Sequence, residues 1–202
     1  MFMTIPDYAE APPETPTAWL DRWLTEAEES GELNHTAMVL STLASDGAPR
    51  ARFVLCKGVT ATGVRFFTNL ESDKGHQLAG DNRVAIAFYW SILKRQVRIE
   101  GTVTRMSEAE ADAYFATRSR LSNVGAWASQ QSRPIATRAE LEAAVEAVSN
   151  RYGESVPRPP HWTGFHVHAT RWEFWQDQAG RIHDRWTMVP DGDGWTMWRL
   201  QP

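Results

Sequence analysis

Three polar side chains near the C-terminus have the types and spacing to bind an anion or an electron-rich ring. Arg181, His183 and Arg185 alternate along the chain, and alternate residues of a β-strand point to one face. Two guanidinium groups would then flank an imidazole, which suits a phosphate group or an aromatic ring. Ile182 and Trp186 would point to the opposite face, toward the core. The same alternation is typical of any half-buried strand, so a solvated polar face is the other interpretation.

A second set, Tyr114, Arg118 and Ser122, is spaced at intervals of four residues. If one helix runs through all three, they lie on roughly one side of it. A phenol, a guanidinium and a hydroxyl could together bind a phosphate group there. An ordinary helix surface is the alternative interpretation.

Weaker signals come from two further pairs. Arg52 and Lys57 lie on one predicted strand, but their odd spacing puts them on opposite faces unless a bulge intervenes. They could serve one site at a dimer interface or two neighbouring ligands, or form a basic strand end. Gln131 and Ser132 precede Pro134 in a predicted loop, where side chains and amides can hold phosphate oxygens.

Several common kinds of site are not indicated. His166 and His168 share a predicted strand face, but too few further ligands accompany them for a metal site to be predicted. Cys56 lies in an apolar strand and no Cys-His arrangement is visible, which favours a core residue over a nucleophile. The chain also lacks the glycine-rich patterns of dinucleotide and nucleoside triphosphate sites.

The composition is that of a globular protein. The 202 residues carry a net charge of −4, and 42% of them are hydrophobic. Acidic residues are concentrated in residues 1–35, so the remainder is slightly cationic, which is compatible with small anions but does not indicate nucleic-acid binding. With one cysteine, no signal-peptide pattern and no apolar span of about 18 residues, the sequence predicts a soluble cytoplasmic protein.

The elements that must position these residues follow from periodicity and turn signals. Residues 1–14 are predicted to be a flexible tail and residues 15–202 a single domain. Helices are predicted at 15–31 and 72–80 and after capping boxes that begin at Ser107 and Thr137. Strands are predicted at 37–44, 50–57, 63–69, 83–89, 95–105, about 164–176, 181–189 and 195–200. This order predicts a mainly β fold, a barrel flanked by helices.

These residues together resemble the pyridoxamine 5′-phosphate oxidase family. The most specific segment is Glu173-Phe174-Trp175-Gln176 followed, after four residues, by Arg181-Ile182-His183-Asp184-Arg185, which is similar to the family's C-terminal signature at every defined position. Similar pieces occur in the family's order over roughly residues 36–202. They are Arg52–Lys57, Phe67–Leu70, Ser72–Lys74, Arg95–Val97, Tyr114–Ser122, Gly125–Trp127 and Gln131-Ser132.

The resemblance implies an FMN-binding split β-barrel that works as a homodimer with the flavin at the subunit interface. The implied FMN contacts are Arg52, Lys57, Phe67, Thr68, Lys74, Gln96, Gln131, Ser132, Trp175 and Arg185. The implied substrate contacts are Lys57, Tyr114, Arg118, Ser122, Arg181 and His183, of which Arg181 and His183 would be catalytic. The implied reaction is oxidation of pyridoxamine or pyridoxine 5′-phosphate by O2 to pyridoxal 5′-phosphate and hydrogen peroxide.

The family's chemistry implies a role for each group. Lys57 and the Tyr114, Arg118 and Ser122 set would bind the substrate phosphate and so hold the reactive carbon over the flavin. Arg181 would lie over the pyridine ring with His183 beside it. Arg185 would stabilise negative charge on the reduced flavin.

Two features depart from the family pattern. Asp73 stands where the family commonly has a basic residue near the FMN phosphate. We expect its carboxylate to turn to solvent, with Arg52 and Lys74 holding the phosphate. Some family members also carry a basic, tyrosine-containing N-terminal segment that closes over the substrate, whereas residues 1–14 are acidic and proline-rich with only Tyr8.

Two other functions compete with this interpretation. One is a split-barrel flavin oxidase that acts on another substrate, such as a phenazine-type aromatic intermediate. The set of Tyr114, Arg118 and Ser122 favours a phosphorylated substrate over that alternative. The other is a non-catalytic flavin-binding or flavin-storage protein, which would not need the substrate-side residues Arg181 and His183.

Overall fold

A computed structural model describes residues 15–202, so the predicted tail at 1–14, with Tyr8, lies outside the described residues. The helices in this range are α1 (Pro16–Glu29), α2 (Asp73–Gly80), α3 (Glu108–Ala116), α4 (Arg120–Ala128) and α5 (Arg138–Tyr152). The strands are β1 (Ala37–Leu43), β2 (Pro49–Leu55), β3 (Val59–Thr60), β4 (Gly63–Asn69), β5 (Arg83–Trp90), β6 (Arg95–Arg105), β7 (Trp162–Gln176), β8 (Asp184–Asp191) and β9 (Gly194–Arg199). No helix in the described range is both long and apolar enough to span a bilayer.

The strands form one antiparallel sheet in the order β2-β1-β5-β6-β7-β4-β3. The long strand β7 pairs along one edge with β4 through its first half and with β8 through its second half. The chain beyond β2 then meets β4, because the Lys57 amide donates to the Arg65 carbonyl at 2.8 Å and the Arg65 amide donates to the Gly58 carbonyl at 3.0 Å. These bonds bring the two ends of the sheet together, and the predicted mainly β barrel with flanking helices is confirmed.

Helix α1 packs against the sheet through a stripe of apolar side chains at helical spacing. Thr15 caps the helix by accepting from the Ala18 amide, and proline stands in the first turn, where no amide donor is missed. Trp19 and Trp23 are both almost fully buried, and Trp19 stacks on Phe174 with ring centroids 4.0 Å apart. The core of the protein is therefore rich in aromatic rings.

The predicted strand at 181–189 is wrong at its start. Residues Ala179–Arg181 form a short 3-10 turn, and β8 begins only at Asp184. Gly180 and Arg181 have φ angles of 69° and 63°, and two successive left-handed residues cannot continue an extended strand. Ile182 is consequently 72% exposed rather than directed to the core, although Trp186 is buried as expected. The predicted strand face shared by Arg181, His183 and Arg185 does not form.

The helix expected to carry Tyr114, Arg118 and Ser122 is divided in two. The capping box at Ser107 is present and starts α3, but α3 ends at Ala116. Ser119 then caps α4 by accepting from the Ser122 amide at 3.3 Å. Arg118 therefore lies in the short connection between the two helices rather than on a helical face.

Candidate active site

A cavity of about 850 Å³ opens where β2, β4, α2, α3, α4 and the loop after α4 meet. Predicted site residues from five separate parts of the sequence line it. They are Arg52, Lys57, Phe67, Thr68, Lys74, Tyr114, Arg118, Ser122, Gln131 and Ser132. The odd spacing of Arg52 and Lys57 is resolved because β2 ends at Leu55, so Lys57 lies beyond the strand and reaches the same cavity.

One end of the cavity, the α2 end, contains two cations. Arg52 donates to the Thr42 hydroxyl at 2.6 Å and to Gln77 Oε1 at 2.8 Å, so β1 and α2 fix its guanidinium. Lys74 is only 8% exposed, and its ammonium lies 3.4 Å from the Ser72 hydroxyl. Burial lowers the pKa of both groups, and the nearby Arg52 lowers the pKa of Lys74 further. A bound anion would relieve this repulsion.

Asp73 also lines the α2 end. Its side chain is exposed, in agreement with the expected solvent contact, but the residue remains part of the cavity wall. The negative charge raises the pKa of both Arg52 and Lys74, opposing the effect of burial. The Asp73 amide lies 3.3 Å from the Ser132 hydroxyl oxygen, to which it donates, and this bond joins the start of α2 to the loop after α4.

Stacked aromatic rings form the wall between the cavity and the core. Phe67 stacks on both Tyr114 and Trp162, with centroid distances of 3.9 Å and 5.0 Å and nearly parallel ring planes. Gly164 permits this packing, because a Cβ there would come within 2.7 Å of the Phe67 ring. The guanidinium carbon of Arg118 lies 4.6 Å from the Trp162 ring centroid, within the range of a cation–π contact.

The second polar end, the α4 end, consists of Tyr114, Arg118 and Ser122. Arg118 Nη2 donates to the Ser122 carbonyl oxygen at 3.1 Å. Arg118 Nη1 is buried and has no hydrogen-bond partner among the described residues. Burial lowers the pKa of Arg118 and raises the pKa of Tyr114, so Tyr114 keeps its proton as a donor. The described residues therefore satisfy the Arg118 guanidinium only in part, and an anionic ligand beside Tyr114 and Ser122 would balance its charge.

The other five predicted site residues do not line the cavity, and we call them the second cluster. Its members are Gln96, Trp175, Arg181, His183 and Arg185. Gln96, Trp175 and Arg185 are direct neighbours across β6, β7 and β8, so they form one row on one face of the sheet. His183 packs against Trp175 at 4.7 Å, and its Nδ1 accepts from the Gln178 amide at 3.2 Å. Arg181 is exposed on the preceding turn.

A buried carboxylate fixes the guanidinium of the second cluster. Glu173 Oε1 accepts from Arg185 Nε at 2.9 Å and from Nη2 at 2.8 Å. Glu173 Oε2 lies 3.1 Å from Arg98 Nη1. One acid therefore neutralises part of the charge of two arginines on this face.

The second cluster and the mouth of the cavity lie on the same face of the sheet, which we call the outer face. In register, Phe53 on β2 pairs with Val39, and Val39 pairs with Ala87 on β5. Ala87 and Tyr89 share a face, and Tyr89 pairs with Gln96 of the second cluster. Phe53 is 75% exposed and Tyr89 is 62% exposed. The outer face thus presents large apolar side chains between the mouth of the cavity and the second cluster.

Two residues that the sequence interpretation missed are Gln77 and Trp162. Gln77 lies three residues after Lys74 on α2, so helical spacing could have placed it beside that lysine. Trp162 follows a proline-containing loop and is the first residue of β7. The pattern of apolar residues there does not distinguish a residue that lines a cavity, as Trp162 does, from one in the core.

Comparison with known families matches nearly the whole chain. The family model described as pyridoxamine 5′-phosphate oxidase matches residues 24–152. The model described as the pyridoxine 5′-phosphate oxidase C-terminal dimerisation region matches residues 162–202. The pyridoxine/pyridoxamine 5′-phosphate oxidase of Burkholderia cenocepacia (strain HI2424) is 49% identical over 199 residues, which cover 97% of this chain and 92% of the relative. The enzyme of the same name from Gluconobacter oxydans (strain 621H) is 47% identical over 188 residues, covering 93% and 94%.

Two solved structures have similar folds over nearly the whole chain. PhzG from Burkholderia lata 383, solved in complex with tetrahydrophenazine-1-carboxylic acid, superposes with a TM-score of 0.92. It is 30% identical, and the match covers 100% of this chain and 99% of that one. A pyridoxamine 5′-phosphate oxidase-related, FMN-binding protein from Nostoc punctiforme PCC 73102 has a TM-score of 0.77 at 16% identity, with coverage of 94% and 99%. The second match supports the fold alone.

Proposed function

Because this chain belongs to the pyridoxamine 5′-phosphate oxidase family and is an oxidoreductase, we propose that it oxidises pyridoxamine or pyridoxine 5′-phosphate to pyridoxal 5′-phosphate. O2 accepts the electrons and becomes hydrogen peroxide. With the amine substrate, water supplies the aldehyde oxygen and ammonia leaves. The proposal is supported most directly by the convergence of Tyr114, Arg118 and Ser122 on a cavity that Arg52 and Lys74 also line, since one cavity then has two polar groups suited to anions.

The α2 end fits the phosphate of a flavin, which we propose to be FMN. Burial lowers the pKa of the half-buried Arg52 and of the buried Lys74, and a bound phosphate would offset this cost of holding two cations together. Gln131 and Ser132 line the same region and add polar groups suited to phosphate oxygens. FMN held at the α2 end would supply the redox chemistry by which two electrons pass from the substrate to O2.

The α4 end would bind the substrate phosphate. Arg118 provides positive charge, and Tyr114 and Ser122 provide hydroxyl donors, while Lys57 adds a further cation to the same cavity. The raised pKa of Tyr114, caused mainly by burial, keeps the phenol protonated at neutral pH. Anchoring the phosphate at this end fixes the position of the substrate ring and so brings its reactive carbon to a constant place in the cavity.

We further propose that each cavity is completed by the second cluster of the other protomer in a homodimer. The second cluster lies outside the cavity of its own chain, although the family signature includes it. The outer face that carries it also exposes Phe53 and Tyr89, which a partner would bury. Residues 162–202, which match the dimerisation region, contain four of the five cluster residues. In this arrangement Arg181 and His183 orient the pyridine ring, and Arg185 stabilises negative charge on the reduced flavin.

The test is turnover by the purified protein after loading with FMN. We expect pyridoxamine 5′-phosphate in air to yield pyridoxal 5′-phosphate and an equal amount of hydrogen peroxide. We expect Arg118→Ala to raise KM for the substrate by about 10- to 100-fold, since a charge-assisted bond to phosphate contributes about 1.5–3 kcal/mol. Bound FMN without turnover of either B6 phosphate would contradict the proposal.

A second candidate substrate is an unphosphorylated tricyclic acid of the phenazine type. The observation that favours it is the TM-score of 0.92 with PhzG, whose structure contains tetrahydrophenazine-1-carboxylic acid. The three donor residues of the α4 end, with Lys57 in the same cavity, exceed what a single carboxylate needs, and they favour a phosphate group. Assaying both compounds with the same FMN-loaded protein separates the two functions.

A further inference from the structure

Arg158 joins two walls of the cavity through three contacts, although it does not line the cavity itself. Its Nε donates to Asp112 Oδ1 at 2.6 Å, its Nη2 donates to Glu108, and its Nη1 donates to the Trp162 carbonyl at 2.7 Å. The side chain is only 8% exposed. The loop between α5 and β7 is thus tied to α3 and to the first residue of β7 by one guanidinium group.

Both elements that Arg158 holds contribute side chains to the α4 end. Glu108 and Asp112 lie one turn apart on α3, and the same helix carries Tyr114. Trp162 supports Arg118 through the cation–π contact at 4.6 Å and stacks on Phe67. The relative position of α3 and the start of β7 therefore determines the distance between the phenol of Tyr114 and the ring below Arg118.

The position of the Arg118 side chain depends on α3 and on the start of β7, because its own backbone is not helical. It lies in the connection between α3 and α4, and its guanidinium is located by the Trp162 ring and by the Ser122 carbonyl. The Phe115 ring, 5.1 Å from the guanidinium carbon, also belongs to α3. A shift of α3 against β7 would therefore move the Phe115 ring relative to the Trp162 ring, and both rings contact the Arg118 guanidinium.

We propose that Arg158 is a positioning residue that sets the affinity of the α4 end for the phosphate of the ligand, a role that rests on the proposed function. It acts on Arg118 through Trp162 and through Phe115 of α3, and it touches neither substrate nor flavin. Its effect is accordingly specific to the phosphate at the α4 end and leaves flavin binding at the α2 end unchanged.

A double-mutant cycle with Arg118 tests this role. The ligand is 4-deoxypyridoxine 5′-phosphate, which lacks the oxidisable group, and its affinity for the FMN-loaded protein is measured by calorimetry. We expect Arg158→Ala to weaken binding about tenfold and Arg158→Lys to weaken it less, because lysine retains the charge between the two acids. In an Arg118→Ala background, Arg158→Ala should change the affinity by less than about twofold, because the group through which it acts is gone.

Arg95→Ala is the matched control for loss of a buried arginine. Arg95 is also 8% exposed in its side chain, and it joins Glu26 of α1 to Gln176 of β7, away from the cavity lining. We expect this variant to lower the urea midpoint of unfolding without changing the ligand affinity more than about twofold.

The remaining outcomes of these measurements would contradict either the positioning role of Arg158 or the proposed function. Equal weakening by Arg158→Ala with and without Arg118 would overturn the positioning role, as would a parallel loss of FMN affinity or full ligand affinity in the single variant. Failure of the unaltered, FMN-loaded protein to bind the phosphorylated ligand would instead overturn the proposed function, and the role of Arg158 with it.

Discussion

Charge balance around individual residues decides what the cavity can hold. At the α2 end, burial and mutual repulsion lower the pKa of Lys74, and Asp73 partly restores it. At the α4 end, Arg118 has a buried nitrogen without a partner among the described residues. Each end therefore gains from an anion, but only the α2 end contains a carboxylate that competes with the anion for the cations.

Replacing Asp73 should tighten flavin binding. We expect Asp73→Asn to lower the dissociation constant of FMN by about two- to fivefold, because removal of an exposed charge near a phosphate is worth up to about 1 kcal/mol. Fluorescence titration of the flavin-free protein measures it, and the gain should shrink at high salt. Glu71→Gln is the control, since Glu71 is an exposed acid in the same segment that does not line the cavity. Weaker binding by Asp73→Asn would show that the carboxylate assists the flavin.

The three residues of the α4 end could be predicted from the sequence, but the residues that hold Arg118 in place could not. The intervals of four residues pointed to Tyr114, Arg118 and Ser122, and all three line the cavity. Trp162 and Arg158 lie about 40 residues later in the chain, and nothing in local spacing connects them with Arg118. Their relation to it is a product of the packing of α3 against β7.

Among the secondary-structure elements, those with strong local signals were predicted best. Strand β6 has the predicted bounds Arg95–Arg105, and the Ser107 capping box begins α3 as expected. The prediction was wrong where the backbone has an unusual conformation. The left-handed Arg181 follows Gly180, and a sequence pattern of alternating residues cannot reveal this turn.

The α3 capping box should contribute stability that depends on pH. Hydrogen bonds from the Ser107 side chain and amide, and from His166, lower the pKa of Glu110 from 4.5 to about 2. A depressed carboxyl pKa stabilises the folded state fully above the unfolded value and progressively less as the pH falls toward the folded value. Glu110→Gln should therefore reduce the urea midpoint at pH 6, and the difference from the unaltered protein should shrink between pH 5 and pH 3. A difference that is constant over this range would contradict the assigned pKa.

Across the molecule, the outer face carries two separated groups of predicted site residues, one in the cavity and one in the second cluster. The cavity opens beside Phe53 at one end of the face, and the second cluster lies beyond Tyr89. A two-fold axis through such a face can bring the second cluster of each protomer to the cavity of the other. The sequence resemblance implied an interface site, but the division into these two groups required the sheet register.

Mixed dimers test this arrangement. Arg118→Ala alters the cavity and His183→Ala alters the second cluster, so we expect each variant alone to turn over slowly, with His183→Ala retaining FMN. Random co-assembly of the two chains should restore about a quarter of the unaltered activity, because half of the dimers then contain one intact site of two. Activity no higher than that of the separate variants would contradict sites shared between protomers.

The product yield per O2 consumed tests most directly whether the protein oxidises a phosphorylated B6 compound. With FMN-loaded protein and pyridoxamine 5′-phosphate in air, we predict one pyridoxal 5′-phosphate and one hydrogen peroxide for each O2. We also predict turnover of this substrate well above that of tetrahydrophenazine-1-carboxylic acid. Flavin-loaded protein that consumes O2 with the tricyclic acid but forms no pyridoxal 5′-phosphate from pyridoxamine 5′-phosphate would contradict the proposed function.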